Sequence, residues 1–309
     1  MSNLYSHSPL EFIDNLYENQ IYIKREDKLP FSFGGNKVRF AEAFINDMKA
    51  KGKNAIIAYG SKSSNLCRVM AQMCFDQNIP CAVVYSETSE IKTNNSFIVS
   101  TLNVREYACD KTQVAQTVEK AIKDFEQEGF APYYIYGNTK GEGNELTPVN
   151  SYKPVFDEIL SYEKTSGVRF DYIFLATGTA ATYSGLLSRA VELCDVRSVV
   201  GISVARNKER CTEIIRDNLT LNFGKETDVP IEVTDDYLFG GYSQTCAEEL
   251  MEIDHIYNTY LIPLDPTYTG KAFYGMKCYL KNHNIKNKNI LFIHTGGYPI
   301  FCDYKKISL

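Results

Sequence analysis

Short, continuously apolar runs alternate with helix-like stretches, and this alternation constrains the fold of the chain more than any other feature. Strand-like runs fall at residues 21–24, 54–59, 81–85, 170–176, 199–204 and 290–294. Helix-like runs fall at 37–51, 64–77, 112–128, 182–194, 209–218, 245–255 and 271–281. Leu66, Val69, Met70 and Met73 recur at i, i+3, i+4 and i+7, one buried helical stripe. Gly129 sits at the C′ position of its helix. Strands that are apolar throughout belong to parallel sheets covered on both faces, and the intervening helices supply the cover. In such α/β sheets ligands bind at loops after the strand C-termini. That directs attention to the loops after residues 59, 176 and 294.

At 309 residues, a soft prior of about 150 residues per domain gives two domains. With 44% hydrophobic and 23% charged residues the composition is that of a globular protein, not a disordered chain. The net charge is -5 and no basic block runs along the chain, so no nucleic-acid partner is expected. No apolar stretch is long enough to span a membrane. The polar run from Met1 to His7 does not read as a secretory signal. Nine cysteines without a CxxC pair read as reduced thiols of a cytoplasmic protein, not as a disulfide framework. With four histidines and no HExxH or HxH, no metal site is expected.

Five runs carry candidate chemistry. In Gly34-Gly35-Asn36-Lys37-Val38-Arg39 the glycines permit a tight bend. The lysine at a helix start meets the positive end of the dipole, which disfavours its ammonium and suits Schiff-base chemistry. An exposed lysine after a turn is the plainer alternative. Ser61-Lys62-Ser63-Ser64-Asn65 forms a hydroxyl-rich strand-to-helix turn. Ser63 or Ser64 there is either an N-cap or a group that holds a carboxylate or moves a proton. The run 176–185, with Gly178, Thr179, Ala180, Ala181 and Thr182, offers backbone amides and hydroxyls at a helix start, as a phosphate monoester requires. It is neither GxxxxGK[ST] nor GxGxxG, so ATP and NAD lack their fingerprints. Tyr268, in Asp265-Pro266-Thr267-Tyr268-Thr269-Gly270-Lys271, is a candidate acid/base or a packing residue. His294-Thr295-Gly296-Gly297 is a strand-end loop, and Thr295 offers a hydroxyl to a ring nitrogen.

Together with Lys24-Arg25-Glu26-Asp27 and Ser64-Asn65-Leu66-Cys67-Arg68, these runs span nearly the whole chain. In order and spacing the chain resembles the fold-type II pyridoxal-phosphate enzymes. The nearest resemblance is to the D-cysteine desulfhydrase / 1-aminocyclopropane-1-carboxylate deaminase family. The resemblance implies a two-domain, tryptophan-synthase-β-like α/β fold with a mainly parallel sheet in each domain. Residues 1–45 and 155–309 would form a large cofactor-binding domain. Residues 46–154 would form a small domain that closes over the substrate cleft. The implied cofactor is pyridoxal 5'-phosphate, on Lys37. The resemblance sets Asn65 beside the cofactor 3-hydroxyl, Gly178 to Thr182 around its phosphate, and Thr295 at its pyridine nitrogen. It gives Ser64 contact with the substrate carboxylate, with Lys62 and Ser63 alongside. It makes Tyr268 and Tyr242 active-site tyrosines and implies a homodimer.

The chain departs from the family pattern at several positions. Ser61-Lys62-Ser63 stands where members usually read Gly-Ile-Gln, and the added lysine implies a larger or more acidic substrate. Ala180-Ala181 replaces glycines, with the amides retained. Thr269 stands where the cyclopropane deaminases carry a glutamate, which disfavours ring opening. Residues 141–152 replace a glycine- and alanine-rich stretch. The expected reaction is α,β-elimination from a small amino acid with a β leaving group, giving a 2-oxo acid and ammonia. β-Replacement or racemisation is the alternative, and a binding protein with a decayed site is a third reading.

Overall fold

A computed structural model describes residues 7–86 and 92–307. Residues 1–6, which hold most of the polar N-terminal run, lie outside the described residues. The strands are β1 (Leu10–Leu16), β2 (Asn19–Arg25), β3 (Ala55–Gly60), β4 (Cys81–Tyr85), β5 (Arg105–Ala108), β6 (Pro132–Tyr134), β7 (Tyr172–Thr177), β8 (Ser198–Ser203), β9 (Glu232–Thr234) and β10 (Asn289–His294). The helices are α1 (Lys37–Ala50), α2 (Asn65–Asp76), α3 (Asn94–Ser100), α4 (Val114–Gln127), α5 (Leu146–Ser166), α6 (Ala181–Glu192), α7 (Lys208–Phe223), α8 (Ala247–Tyr260), α9 (Thr269–Asn282) and α10 (Tyr298–Ile307).

The chain divides into two compact units, Met1–Asn36 with Val149–Leu309, and Lys37–Pro148. These divisions fall at 36/37 and 148/149, where the sequence placed boundaries at 45/46 and 154/155. All of α1 goes to the second unit because its buried face, Val38, Phe40, Ala41, Phe44, Ile45 and Met48, packs toward α2 and β3.

The first unit holds a six-stranded sheet in the order β1-β2-β10-β7-β8-β9. It is parallel except for the β1–β2 pair. Phe292 of β10 lies in register with Ile23 on one side and Phe174 on the other, and all three are fully buried. Central strands covered on both faces cannot afford polar positions, which is why they read as unbroken apolar runs. The second unit is a four-stranded parallel sheet, β5-β4-β3-β6. The predicted stripe of α2 is buried as expected.

The Lys24–Asp27 run has a structural task. Lys24 is 1% exposed, and its Nζ donates to Glu158 Oε2 at 2.6 Å and Ser8 Oγ at 2.8 Å. Ser8 Oγ in turn donates to Glu26 Oε1 at 2.5 Å. Glu158→Ala leaves the Lys24 ammonium buried without its closest counter-charge, and should cost about 3–5 kcal/mol of stability. Chemical denaturation measures it; a loss below about 1 kcal/mol would show that solvent reaches Lys24. Beyond this network, Arg25 Nη2 meets Asp27 Oδ2 at 2.6 Å. Gly34, at φ +67°, lies so close to Asp27 that a Cβ would stand 2.1 Å from the Asp27 carbonyl oxygen. The amide of Gly35 donates to Glu26 O at 2.7 Å. The run therefore shapes the bend that leads to Lys37.

Candidate active site

Each unit gathers its own set of the residues singled out from sequence. In the first unit, the loop after β7 runs into α6. Its N-cap, Ala180, is left-handed at φ 67° and makes no side-chain cap hydrogen bond. The α6 terminus thus carries its dipole and first-turn amides without a side-chain cap, the arrangement that binds anions. Thr179 is exposed, and Thr182 is buried in the first turn. Asn36 Nδ2 donates to Thr182 Oγ1 at 2.8 Å, and the Asn36 amide donates to Thr295 O at 3.0 Å. The bend before Lys37 is therefore tied both to the anion loop and to the loop after β10. An Arg206 Nη1 hydrogen bond to Gly178 O adds a cation at the same turn.

Tyr268 stands beside that turn: a Cβ on Gly178 would lie 3.9 Å from Tyr268 Cε1. Its hydroxyl lies 2.5 Å from the hydroxyl of Tyr242, with the rings edge to face at 5.9 Å. The Tyr268 backbone is pinned by Asp265, which is fully buried. Oδ1 of Asp265 accepts from the amides of Thr267 at 3.0 Å and Tyr268 at 2.8 Å. Its Oδ2 accepts from the Thr269 amide at 3.2 Å and the Thr269 hydroxyl at 2.8 Å. Burial raises the Asp265 pKa against the pull of these four hydrogen bonds. His294 braces the neighbouring loop, with the Gly296 amide donating to its Nδ1 at 3.2 Å. Thr295 itself is half-buried at the end of β10.

In the second unit, Lys37 opens α1, with its Nζ 4.3 Å from the Phe40 ring centroid. The side chain keeps some surface exposure, yet the surrounding protein desolvates the ammonium and lowers its pKa to about 8. Sequence reasoning expected a disfavoured ammonium from the helix dipole; desolvation is the cause found. Ser64 is the N-cap of α2 and accepts the Cys67 amide at 3.2 Å. Asn65 is the first residue of α2. The loop before them is held by the start of α3. Asn95 Nδ2 donates to Ser63 O at 2.7 Å and Asn65 Oδ1 at 3.0 Å. Thr93 Oγ1 donates to Lys62 O at 2.7 Å. Ser61 and Ser63 hydroxyls lie 3.0 Å apart. Ser61, Lys62, Ser63, Ser64 and Asn65 all keep partial exposure. Among the described residues, no cluster of His, Cys, Asp and Glu fits a metal ion.

Sequence reasoning assigned no role to Asn36, Asn95, Arg206, Asp265 or Lys271. Asp265 and Lys271 lay inside a run already quoted. Asn95 and Arg206 carry no motif, and their place shows only once α3 and the loop after β8 are folded.

A sequence model of the family described as pyridoxal-phosphate dependent enzyme matches residues 1–296. The chain belongs to this family. A Pyrococcus horikoshii protein provisionally named 1-aminocyclopropane-1-carboxylate deaminase is 31% identical over 299 residues, covering 94% of this chain and 89% of the relative. The D-cysteine desulfhydrase of Yersinia enterocolitica is 28% identical over 313 residues, covering 96% of this chain and 93% of its own. The crystal structure of an ACC deaminase homologue superposes with a TM-score of 0.85 at 28% identity, covering 97% of this chain and 92% of that one. A tomato threonine deaminase, 18% identical with a TM-score of 0.65, shares the fold. The chain is thus a fold-type II pyridoxal-phosphate enzyme.

The residues present fit that cofactor. The α6 terminus without a side-chain cap, with Thr179 and Thr182, suits its phosphate, and a lysine with a pKa of about 8 suits its aldehyde. Capture of the aldehyde by apoprotein should quicken with rising pH and reach half its maximum near 8, because the neutral amine is the nucleophile. Rapid mixing of apoprotein with pyridoxal phosphate reads this. A midpoint near 10.5 would mean that Lys37 is an ordinary solvated lysine.

Proposed function

We propose that this pyridoxal-phosphate enzyme catalyses α,β-elimination from a small amino acid with a β leaving group, in the manner of a D-cysteine desulfhydrase. The observation that carries the reading is the Tyr242–Tyr268 hydroxyl pair, 2.5 Å apart beside the Gly178 turn. Thr269 supports elimination over ring opening, since its hydroxyl is committed to Asp265 and offers no acid outward.

The bound cofactor supplies an electron sink for bonds at the amino acid's α carbon. The chain's residues supply the rest. The α6 terminus and Thr182 hold the phosphate, and Asn65 and Thr295 orient the ring. Ser64, with Ser63 and Lys62 alongside, receives the substrate carboxylate. Lys37 takes the α-proton as its neutral amine. The C–H electron pair forms the Cα–Cβ double bond as the β bond breaks, and the leaving group departs with its pair. The hydroxyl of Tyr268, coupled to Tyr242, gives that group a proton. The released unsaturated amino acid takes up water and yields the 2-oxo acid and ammonia.

The reading extends to a homodimer in a reducing cytoplasm. All nine cysteines are free thiols, which supports a reducing compartment. No described helix is long and apolar enough to cross a membrane.

The test supplies both enantiomers of cysteine, β-chloroalanine and serine, and 1-aminocyclopropane-1-carboxylate, to the loaded enzyme. Oxo acid and ammonia in equal amounts from one enantiomer of a β-substituted substrate are expected. A thioether formed with added thiol would point to β-replacement instead. Inversion without oxo acid would point to a racemase. No product and no spectral change with any compound would leave a binding protein.

A further inference from the structure

The loop that carries Tyr242 is held by a buried cation. Phe239 (φ 53°) and Ser243 (φ 60°) have left-handed backbone, which in a non-glycine residue persists where surrounding structure imposes it, whereas Gly240 (φ 99°) and Gly241 (φ 141°) between them adopt positive φ freely. The Tyr242 ring is 40% exposed, so packing alone does little to fix it. Lys271 of α9 is fully buried beneath this loop. Its Nζ donates to Leu238 O at 3.1 Å and Gly241 O at 3.2 Å, and lies 5.6 Å from the Phe239 ring centroid. Glu249 of α8 is also fully buried. Desolvation lowers the Lys271 pKa, and the neighbouring Glu249 and Asp265 pull it part of the way back up.

We propose that Lys271 is a positioning residue: by clamping the Leu238 and Gly241 carbonyls it sets the Tyr242 hydroxyl against that of Tyr268. Lys271 touches neither substrate nor cofactor; it acts through the loop. A buried ammonium finds its hydrogen-bond acceptors in this turn, and the turn finds in the ammonium a tie between its first and last carbonyls. The two needs are met by one contact, and Tyr242 follows directly after it in the chain.

Two measurements test the proposal. In the first, amide hydrogen exchange is followed by mass spectrometry in the apoprotein. Lys271→Met should speed exchange across residues 238–243 by about tenfold or more and leave the interiors of α8 and α9 protected. Unchanged exchange in that segment of the folded variant overturns the proposal. In the second, Lys271→Met, Tyr242→Phe and the double variant form a cycle. Lys271→Met should lower kcat by about tenfold with little change in KM, and should lower it less than about twofold further once the Tyr242 hydroxyl is gone. Full multiplication of the two losses overturns it. If Lys271→Met does not fold, the same two readouts are taken on Lys271→Leu, which also removes the donor to the Leu238 and Gly241 carbonyls. Failure of both to fold assigns Lys271 to the scaffold and overturns the proposal. The kinetic arm rests on the elimination reading, and the exchange arm, read without cofactor or substrate, does not. The two can therefore fail separately.

Discussion

Replacing Lys37 by alanine should lower turnover by about 10⁴-fold or more, because in the proposed mechanism one side chain supplies both the amine that holds the cofactor and the base at the α carbon. The variant should fold as the parent does. Lys37 opens α1 without a capping role, and alanine is the best helix former. The lost function should return in part on adding a small primary amine, which replaces the missing base. Steady-state rates with and without the amine measure this. Appreciable turnover by Lys37→Ala with no amine present would sink the assignment.

Asp265→Ala should be the most destabilising single change at the site. The carboxylate, itself fully buried, satisfies the Thr267, Tyr268 and Thr269 amides and the Thr269 hydroxyl. Alanine leaves those donors unpaired, and partial relaxation of the turn recovers some of the loss. About 3–5 kcal/mol is expected. Gly297 shows how tightly the position is enclosed, since a Cβ there would stand 2.2 Å from Asp265 Oδ2. Denaturant titration reads the stability, and kcat should fall in the variant because Tyr268 loses the backbone bond that orients it. Asp265→Asn keeps an acceptor for Thr267 and Tyr268 and should lose less on both counts. Equal stability of the alanine variant and the parent would mean that water or a neighbour replaces the carboxylate.

The elements most legible in the sequence were those whose burial is uniform. β7 and β10 are covered on both faces and read as apolar runs, and α2 reads as a stripe. Edge elements were missed for the opposite reason. β1 alternates between half-buried and exposed positions at the antiparallel edge, and β9 is three residues long. The long helix α5 was hidden by Pro154 inside it, whose ring removes an amide from the helical ladder. Helix ends moved by a few residues, as at α8, which runs on to Tyr260.

At the site, the short-range features were legible. Lys37, Ser64 and the Gly178–Thr182 turn each follow or begin an element whose period can be counted. Their supports were not. Asn95 reaches Asn65 from 30 residues away, and Lys271 reaches Leu238 across 33. Such pairings depend on tertiary packing that no local pattern encodes. The cause of the Lys37 shift was also beyond the sequence, because desolvation depends on what the fold brings around the amine.

The most direct test of the account is to load the protein with pyridoxal phosphate, reduce it with borohydride, and map the modified peptide by mass spectrometry. One cofactor per chain is expected, fixed on Lys37, and a smaller fraction fixed when saturating amino acid competes with Lys37 for the aldehyde during reduction. Cofactor fixed on Lys62 or another lysine, with Lys37 unmodified, would contradict the account.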